Sequence, residues 1–469
     1  MFEIPEGERP TAVVVAVQLP GVTDEDLASS IAELERLAKT LGLNPLGRVV
    51  QRRGKLASGV VLGEGKLKEL ADWTGGTGEV AAYVKPGSRA AKEIADEELD
   101  EIDEPGDDDE DEGDVASSGE KPPARARFVL VDHDLTPTQQ RNLEKATGVD
   151  VLDRTSVIVE IFHRHAKTRE ARLQVEIARL RYLAPRLRET GGGGDRVRGG
   201  VGGKGAGESA IELDRRRIRD RIAELKDELS RIEGGAKTRR QRRSDLPTVA
   251  LVGYTNAGKS SLMRALTSTE VYVADKLFAT LDTTVRRLVP PTDPPILVTD
   301  TVGFIKKLPH DLVASFRSTL DEAADADLLL HVVDASDPAH ADQLAVTREV
   351  LGEIGADTVD SWLLLNKIDR CDEATRAALV DHYPGALQLS AKSRDDVAAL
   401  RDKLIEKFAG KLEEAELVVP YAQQRVVHLV HERATVLSEE HGDEGTTLRI
   451  RAPHTTLEEL QALLAPVES

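Results

Sequence analysis

The chain has 469 residues, 40% of them apolar and only 3% aromatic, a length that suits three or four domains with cores built from Leu, Val, Ile and Ala. One cysteine, Cys371, excludes an internal disulfide and a cysteine-based zinc site. The net charge of −20 is segregated: residues 93–120 hold 16 Asp or Glu and no Lys or Arg, while residues 164–243 hold 23 Lys or Arg against 12 Asp or Glu.

The opening stretch "MFEIPEGERPTAVVVAVQLP" lacks the basic region and cleavage site of a signal peptide, and no apolar run approaches the ~18–20 residues that span a bilayer. A cytoplasmic protein without a membrane span is expected. Residues 12–19, "AVVVAVQL", predict a buried strand. "DEDLASSIAELERLAKTLG" predicts a helix with Leu27, Ile31, Leu34 and Leu37 on one face. "GRVVQRR" and "VLGEGKLKELADWTG" read as a strand, then a glycine turn and a helix, and "RFVLVDHDLTPTQQRNLEKATG" repeats strand-then-helix. An N-terminal α/β domain is therefore expected over residues 1–165. Its acidic insertion, about 93–120, is too charged to pack and is expected to be disordered.

Residues 166–244 predict a basic helical hairpin. Leu173, Ile177, Leu180, Ala184 and Leu187 recur at heptad spacing, as do Ile211, Ile218, Ile222, Leu225, Leu229 and Ile232. Two adjacent helices with matching seams pair most simply antiparallel, and Pro185 ends or kinks the first. Between them lies "ETGGGGDRVRGGVGGKGAGES", in which ten of the seventeen residues 191–207 are glycine. The spacing makes that stretch a tip rather than a linker between independent domains. From residue 245 to 409 short apolar runs, "PTVALVG", "PPILVTD", "ADLLLHVVD", "SWLLLNK" and "ALQLSAK", alternate with helical segments. That pattern predicts a mainly parallel sheet with helices on both faces. Residues 410–469 read as a small α/β domain: strand "ELVVPY", helix "QRVVHLVHERATVL", strand "TTLRIRA", helix "TLEELQALLA".

Four motifs fall in order within residues 245–409. "GYTNAGKS" comprises Gly253, Tyr254, Thr255, Asn256, Ala257, Gly258, Lys259 and Ser260, and it stands between a strand and a helix. That is the phosphate-loop pattern and its context: backbone N–H groups close on phosphates, Lys259 reaches the outer phosphates, and Ser260 binds Mg2+. "DTVG" (Asp300, Thr301, Val302, Gly303) ends a second strand 41 residues after Lys259. It places a carboxylate toward magnesium-bound water and the Gly303 N–H toward a terminal phosphate. "NKID" (Asn366, Lys367, Ile368, Asp369) offers a carboxylate to the N1–H and 2-amino donors of guanine, a pair that adenine lacks. "SAK" (Ser390, Ala391, Lys392) can present a backbone N–H to guanine O6. Together they predict a guanine-nucleotide site in an α/β phosphate-loop domain. A threonine from "KLFATLDTTVRRL" must also reach the magnesium, and spacing leaves Thr280, Thr283 and Thr284 open. Phe304 follows the D-x-x-G motif where many GTPases carry the glutamine that orients water, so slow unaided hydrolysis is expected.

With these motifs in place, the chain resembles the HflX GTPases over nearly its whole length. "LGEGKLKEL", "LTPTQQRNLE" and "VLDRTSVIVEIF" are similar to the N-terminal domain of that family, "QVEIARLRYLAPRL" and "GAGESAIELDRRRIRDRI" to its hairpin, and "GYTNAGKS" and "LFATLD" to its GTPase domain. The resemblance implies GTP hydrolysis activated on the ribosome, with GTP and GDP bound. It further implies binding to the large ribosomal subunit and its RNA, and dissociation or rescue of ribosomes. It makes Thr280 the magnesium threonine, makes Phe278, Ala279, Thr280, Leu281 and Asp282 the first switch, and makes Lys259, Thr280 and Gly303 the catalytic groups. It also implies that the cationic hairpin, with Arg196, Arg198 and Lys204 at its glycine-rich end, reaches toward the peptidyl-transferase region. The chain departs from the family at Thr283, commonly Pro, and across residues 205–212, commonly G-P-G-E-T-Q-L-E; the acidic tract lies outside the family pattern. Two rival readings are a GTP-gated checkpoint in ribosome assembly that splits nothing, and an RNA-remodelling NTPase. A monomer is expected.

Overall fold

The structure is a computed structural model, and it describes residues 9–57, 59–80, 125–187, 210–241, 246–267, 277–278, 284–292, 294–308, 312, 317–409, 412–442 and 445–464. The expectations for the acidic insertion and for the glycine-rich tip lie outside the described residues. The chain divides into two units, one made of Met1–Arg164 with Val175–Ile222, the other of His165–Gln174 with Ala223–Ser469.

In the first unit, strands β1 (Thr11–Gln18), β2 (Asn44–Arg52), β3 (Phe128–Val131) and β4 (Asp150–Asp153) form a parallel sheet in the order β2-β1-β3-β4. The valine run of β1 is buried throughout, as a strand covered on both faces requires. Helices α1 (Asp24–Leu41), α2 (Glu64–Thr74), α3 (Pro137–Thr147) and α4 (Arg154–His165) connect and follow the strands. Their ends are written in the sequence. Thr136 and Gln139 close a capping box on α3, whose N1 residue is Pro137. The Thr23 side chain accepts the Asp26 N–H at the start of α1. The guanidinium of Arg154 is 1% exposed and pairs with Asp132, at 2.7 Å, and with Glu33, while Ser30 Oγ donates to Asp132 at 2.6 Å. Each charge is paid for only while its partner stands beside it.

Helices α5 (Arg169–Leu183) and α6 (Ala210–Gln241) form the antiparallel pair. Arg169 bonds Glu228 at 2.6 Å; seven residues further along α5, Glu176 meets Arg221, seven residues back along α6, at 3.2 Å. On α6 the seam is as narrow as the heptad spacing demands: Leu225 is buried, Ile218, Ile222, Leu229 and Ile232 are half-buried, and most other side chains described there are exposed. The same expectation is too narrow for α5, where Val175 and Ala178 are buried beside Ile177. Its end also runs along the parallel sheet, with the Tyr182 hydroxyl on Asp153 at 2.8 Å and Arg186 donating to Leu135 O at 2.7 Å and to Asp153 at 3.0 Å. Pro185 stops the helix as expected: Ala184–Arg186 is a single 3-10 turn.

The second unit holds two further sheets. Strands β5 (Thr248–Gly253), β6 (Thr284–Arg287), β7 (Leu297–Asp300), β8 (Leu328–Asp334), β9 (Ser361–Asn366) and β10 (Leu387–Gln388) order as β10-β9-β8-β5-β7-β6. All neighbours are parallel except β6 and β7; β6, at the sheet edge, was not expected. Helices α7 (Lys259–Thr267), α8 (Arg317–Ala324), α9 (His340–Glu353), α10 (Glu373–His382) and α11 (Arg394–Ala409) alternate with the strands. Side chains of β5 alternate between two cores. Val249 and Leu251 pack with Leu262, Met263, Leu400 and Leu404, whereas Ala250 and Val252 pack with Phe304, Leu320 and Leu351. Both faces of the sheet are therefore covered.

The last sheet is antiparallel, β11 (Leu412–Pro420), β13 (Gly445–Pro453), β12 (Thr435–His441), with helices α12 (Arg425–Arg433) and α13 (His454–Leu464). Leu417, Val419, Leu448 and Ile450 join Val430, Leu457 and Leu460 in its core. Here the sequence expectation needs correction. "ATVL" was assigned to the preceding helix, but α12 stops at Arg433 and residues from Thr435 pair with β13. The β-branched Thr435 and Val436 fit a strand better than a helix.

Candidate nucleotide site

The phosphate loop leaves β5 at Gly253 and re-enters helix at Lys259. Glycine is demanded at 258, where φ is +101° and a Cβ would stand 2.2 Å from Asn366 Nδ2. The Lys259 ammonium is buried and donates to Gly253 O at 2.9 Å and Tyr254 O at 2.8 Å. Burial pushes it down to about 8, against the opposing pull of Asp300. Ser260 Oγ donates to Asp300 Oδ2 at 2.8 Å, joining the first turn of α7 to the end of β7. Thr301 Oγ1 is committed elsewhere, to Leu251 O at 2.7 Å, and Val302 is buried.

Gly303 lies against the loop: a Cβ there would come within 2.9 Å of Thr255 Cα and 3.0 Å of Lys259 Nζ. The next residue is stitched down. Thr255 N donates to Phe304 O at 2.8 Å, Phe304 N to Gly253 O at 3.2 Å, and Lys306 N to the Tyr254 hydroxyl at 2.7 Å. The Phe304 ring is 1% exposed and belongs to the core beneath the sheet.

The base-side motifs converge on the same edge. Asn366 Nδ2 donates to Ala257 O at 2.8 Å and its Oδ1 accepts Ala391 N at 3.0 Å, so one amide ties the phosphate loop to "SAK". Lys367, at φ +62°, places Nζ 2.6 Å from Asn256 O and 2.7 Å from Asp334 Oδ2. Ser390 Oγ donates to Asp369 Oδ1 at 2.6 Å, and that bond holds the carboxyl below its ordinary value. Ile368 is buried, and Lys392 N reaches Ser390 Oγ at 3.3 Å. Two carboxylates went unnoticed in the sequence. Asp334, at the end of β8, holds Lys367 while its Oδ1 takes Ser336 N and Oγ, and Asp396 Oδ2 accepts Ser390 N at 2.7 Å. The strand-ending "HVVD" was the available signal for Asp334; nothing marked Asp396.

Of the residues expected in the first switch, Phe278 is described and is buried at φ +56°. Ala279, Thr280, Leu281 and Asp282 lie outside the described residues. Thr284 is the first residue of β6, opposite Asp300. No group of three or more His, Cys, Asp or Glu side chains able to hold a metal occurs among the described residues, and no helix there is long and apolar enough to cross a membrane.

Family models match most of the chain: "GTP-binding GTPase N-terminal" over residues 28–83 and 115–163, "GTP-binding GTPase Middle Region" over 165–243, and "50S ribosome-binding GTPase" over 248–367. The GTPase HflX of Gluconacetobacter diazotrophicus is 56% identical, covering 97% of this chain and 98% of its own. That of Escherichia coli (strain K12) is 40% identical over 70% of this chain and 78% of its own. A GTP-binding protein from the archaeon Sulfolobus solfataricus, solved with GDP, is 22% identical at a TM-score of 0.40, over 85% of this chain and 98% of that one. The order of the four motifs, the covered parallel sheet that aligns them and this near full-length similarity agree: the chain belongs to the HflX family of ribosome-binding GTPases and hydrolyses GTP.

Proposed function

We propose that this GTPase binds the large ribosomal subunit, dissociates or rescues ribosomes, and is activated to hydrolyse GTP there. The observation that carries the reading is Phe304. Its side chain is locked in the core, so the position that orients water in many GTPases contributes nothing to the reaction here. A site whose residue 304 cannot place the water suits a factor whose slow turnover is raised by its partner. In this reading residues 253–260 wrap the phosphates, Gly303 and Lys259 meet the terminal phosphate, and Asp369 reads guanine between Asn366, Lys367, Ile368 and the Ser390–Ala391–Lys392 turn.

Mg2+ fits the donor set, because Ser260 Oγ and the Asp300 carboxylate, 2.8 Å apart, are the hard oxygens that the ion takes. Ser260 and Thr280 would hold it, with Asp300 acting through water, and it supplies charge neutralisation on the phosphates. We assign four functional parts to a cytoplasmic monomer: residues 1–165, the hairpin 166–244 as the RNA-reaching arm, the GTPase domain 245–409 and a small domain 410–469.

Co-sedimentation with purified subunits, in GDP and in a non-hydrolysable GTP analogue, tests binding; light scattering of intact ribosomes tests splitting. Large subunits should raise GTP turnover, and unchanged turnover would overturn activation. An assembly checkpoint would bind subunits without raising the free fraction, and an RNA-remodelling NTPase would unwind RNA without ribosomes.

A further inference from the structure

Hydrolysis joins a water oxygen to the terminal phosphorus and breaks the bond from that phosphorus to the β–γ bridging oxygen. The electron pair leaves with GDP; of the two water protons, one stays on the phosphate and one passes to solvent. A group must hold the water in line. Phe304 is excluded by chemistry and by burial, and its backbone is fixed to Gly253 and Thr255.

Thr255 stands where the two phosphate-facing elements meet. A Cβ built on Gly303 would lie 2.9 Å from Thr255 Cγ2 and 3.0 Å from Lys259 Nζ, so the methyl of this threonine, beside its hydroxyl on the same Cβ, meets the lysine ammonium and the glycine around one point. Thr255 is 7% exposed, and its Oγ1 is buried with no hydrogen-bond partner among the described residues. An enclosed hydroxyl without a partner is destabilising, and a methyl in its place would not be. A hydroxyl also donates and accepts at once, as a bridge between a water and a phosphate oxygen must.

We propose that Thr255 Oγ1 is a catalytic group of this enzyme: it accepts a hydrogen bond from the attacking water and donates one to a terminal phosphate oxygen, the placement that residue 304 does not supply. The hydroxyl is not consumed, so the balance of the reaction is unchanged.

The test compares Thr255→Val, which keeps the shape and deletes the hydroxyl, with Thr255→Ser, which keeps the hydroxyl. Single-turnover GTP hydrolysis is followed without ribosomes, alongside the affinities for GTP and GDP and the melting temperature of the nucleotide-free protein. Without ribosomes in the assay, a failure here is separate from any failure of the splitting reading. Thr255→Val should lower the hydrolysis rate constant at least about tenfold, with both affinities within about twofold. Its melting temperature should be unchanged or raised, and Thr255→Ser should keep at least about half the rate. Normal hydrolysis by Thr255→Val overturns the proposal. A fall in melting temperature and nucleotide affinity together with the rate also overturns it, because the side chain would then be structural.

Discussion

Burial lowers the Lys259 ammonium to about 8 from an ordinary value of 10.5, and two opposite pH dependences follow. Between those values the unfolded chain binds the proton and the folded chain does not, so the lysine's contribution to stability rises with pH across that window. In the proposed site phosphate binding uses the charged ammonium, so GTP affinity should hold below pH about 8 and weaken above it, by at most about tenfold per pH unit. Affinity titrations and denaturant unfolding across the window check both slopes. In the proposed site Asp369 reads the base. Asp369→Asn should weaken GTP binding about a hundredfold and gain xanthosine triphosphate, whose 2-oxo group needs a donor; unchanged GTP affinity would sink the assignment. Phe304→Gln should not restore a catalytic glutamine. The position is 1% exposed among Ala250, Val252 and Leu320, so the amide would be buried in the core. We expect a loss of about 3 kcal/mol and no faster hydrolysis, read by thermal melting and GTP turnover.

At the scale of elements, burial among the described side chains of α6 concentrates in Leu225, at 1% exposure. Leu225→Ala should cost about 2–3 kcal/mol, seen as an earlier loss of helical circular dichroism, whereas Leu213→Ala on the exposed face should cost little. These elements were legible because their period is local. The valines of β1, the paired stripes and the strand-loop-helix around "GYTNAGKS" each declare themselves within a few residues. What escaped was set by distant partners. β6 and β12 are edge strands defined by pairing with β7 and β13, and β12 continues an apolar run that looked helical. The buried Arg154 meets Asp132 and Glu33, 22 and 121 residues back, with no motif to announce it. The nucleotide motifs were legible residue by residue; the bonds among them, through Tyr254, Asp334 and Asp396, required the fold.

For the whole molecule, the basic stretch and the glycine-rich stretch within it bear on one question. With 23 Lys or Arg against 12 Asp or Glu between residues 164 and 243, the proposed subunit binding should fall steeply with salt as counterions are released. Replacing residues 191–207 by a short turn should leave GTP binding intact, because every nucleotide motif lies at or beyond Gly253. On the proposed function it should weaken subunit binding and abolish splitting, followed by light scattering with GTP. Splitting at the normal rate would make the glycines a slack loop and return the reaction to the other domains.

The two side chains that leave β9 side by side have a kinetic consequence. Asn366 and Lys367 both end on carbonyls of the phosphate loop, Ala257 O and Asn256 O. In the proposed site, whatever orders the base end should therefore steady the phosphate end, and by reciprocity phosphate should improve the hold on the base. Guanosine and pyrophosphate should bind with positive cooperativity, and departure of GDP should be one concerted event rather than the peeling of one end. A partner that loosens either end would then hasten release of the entire nucleotide.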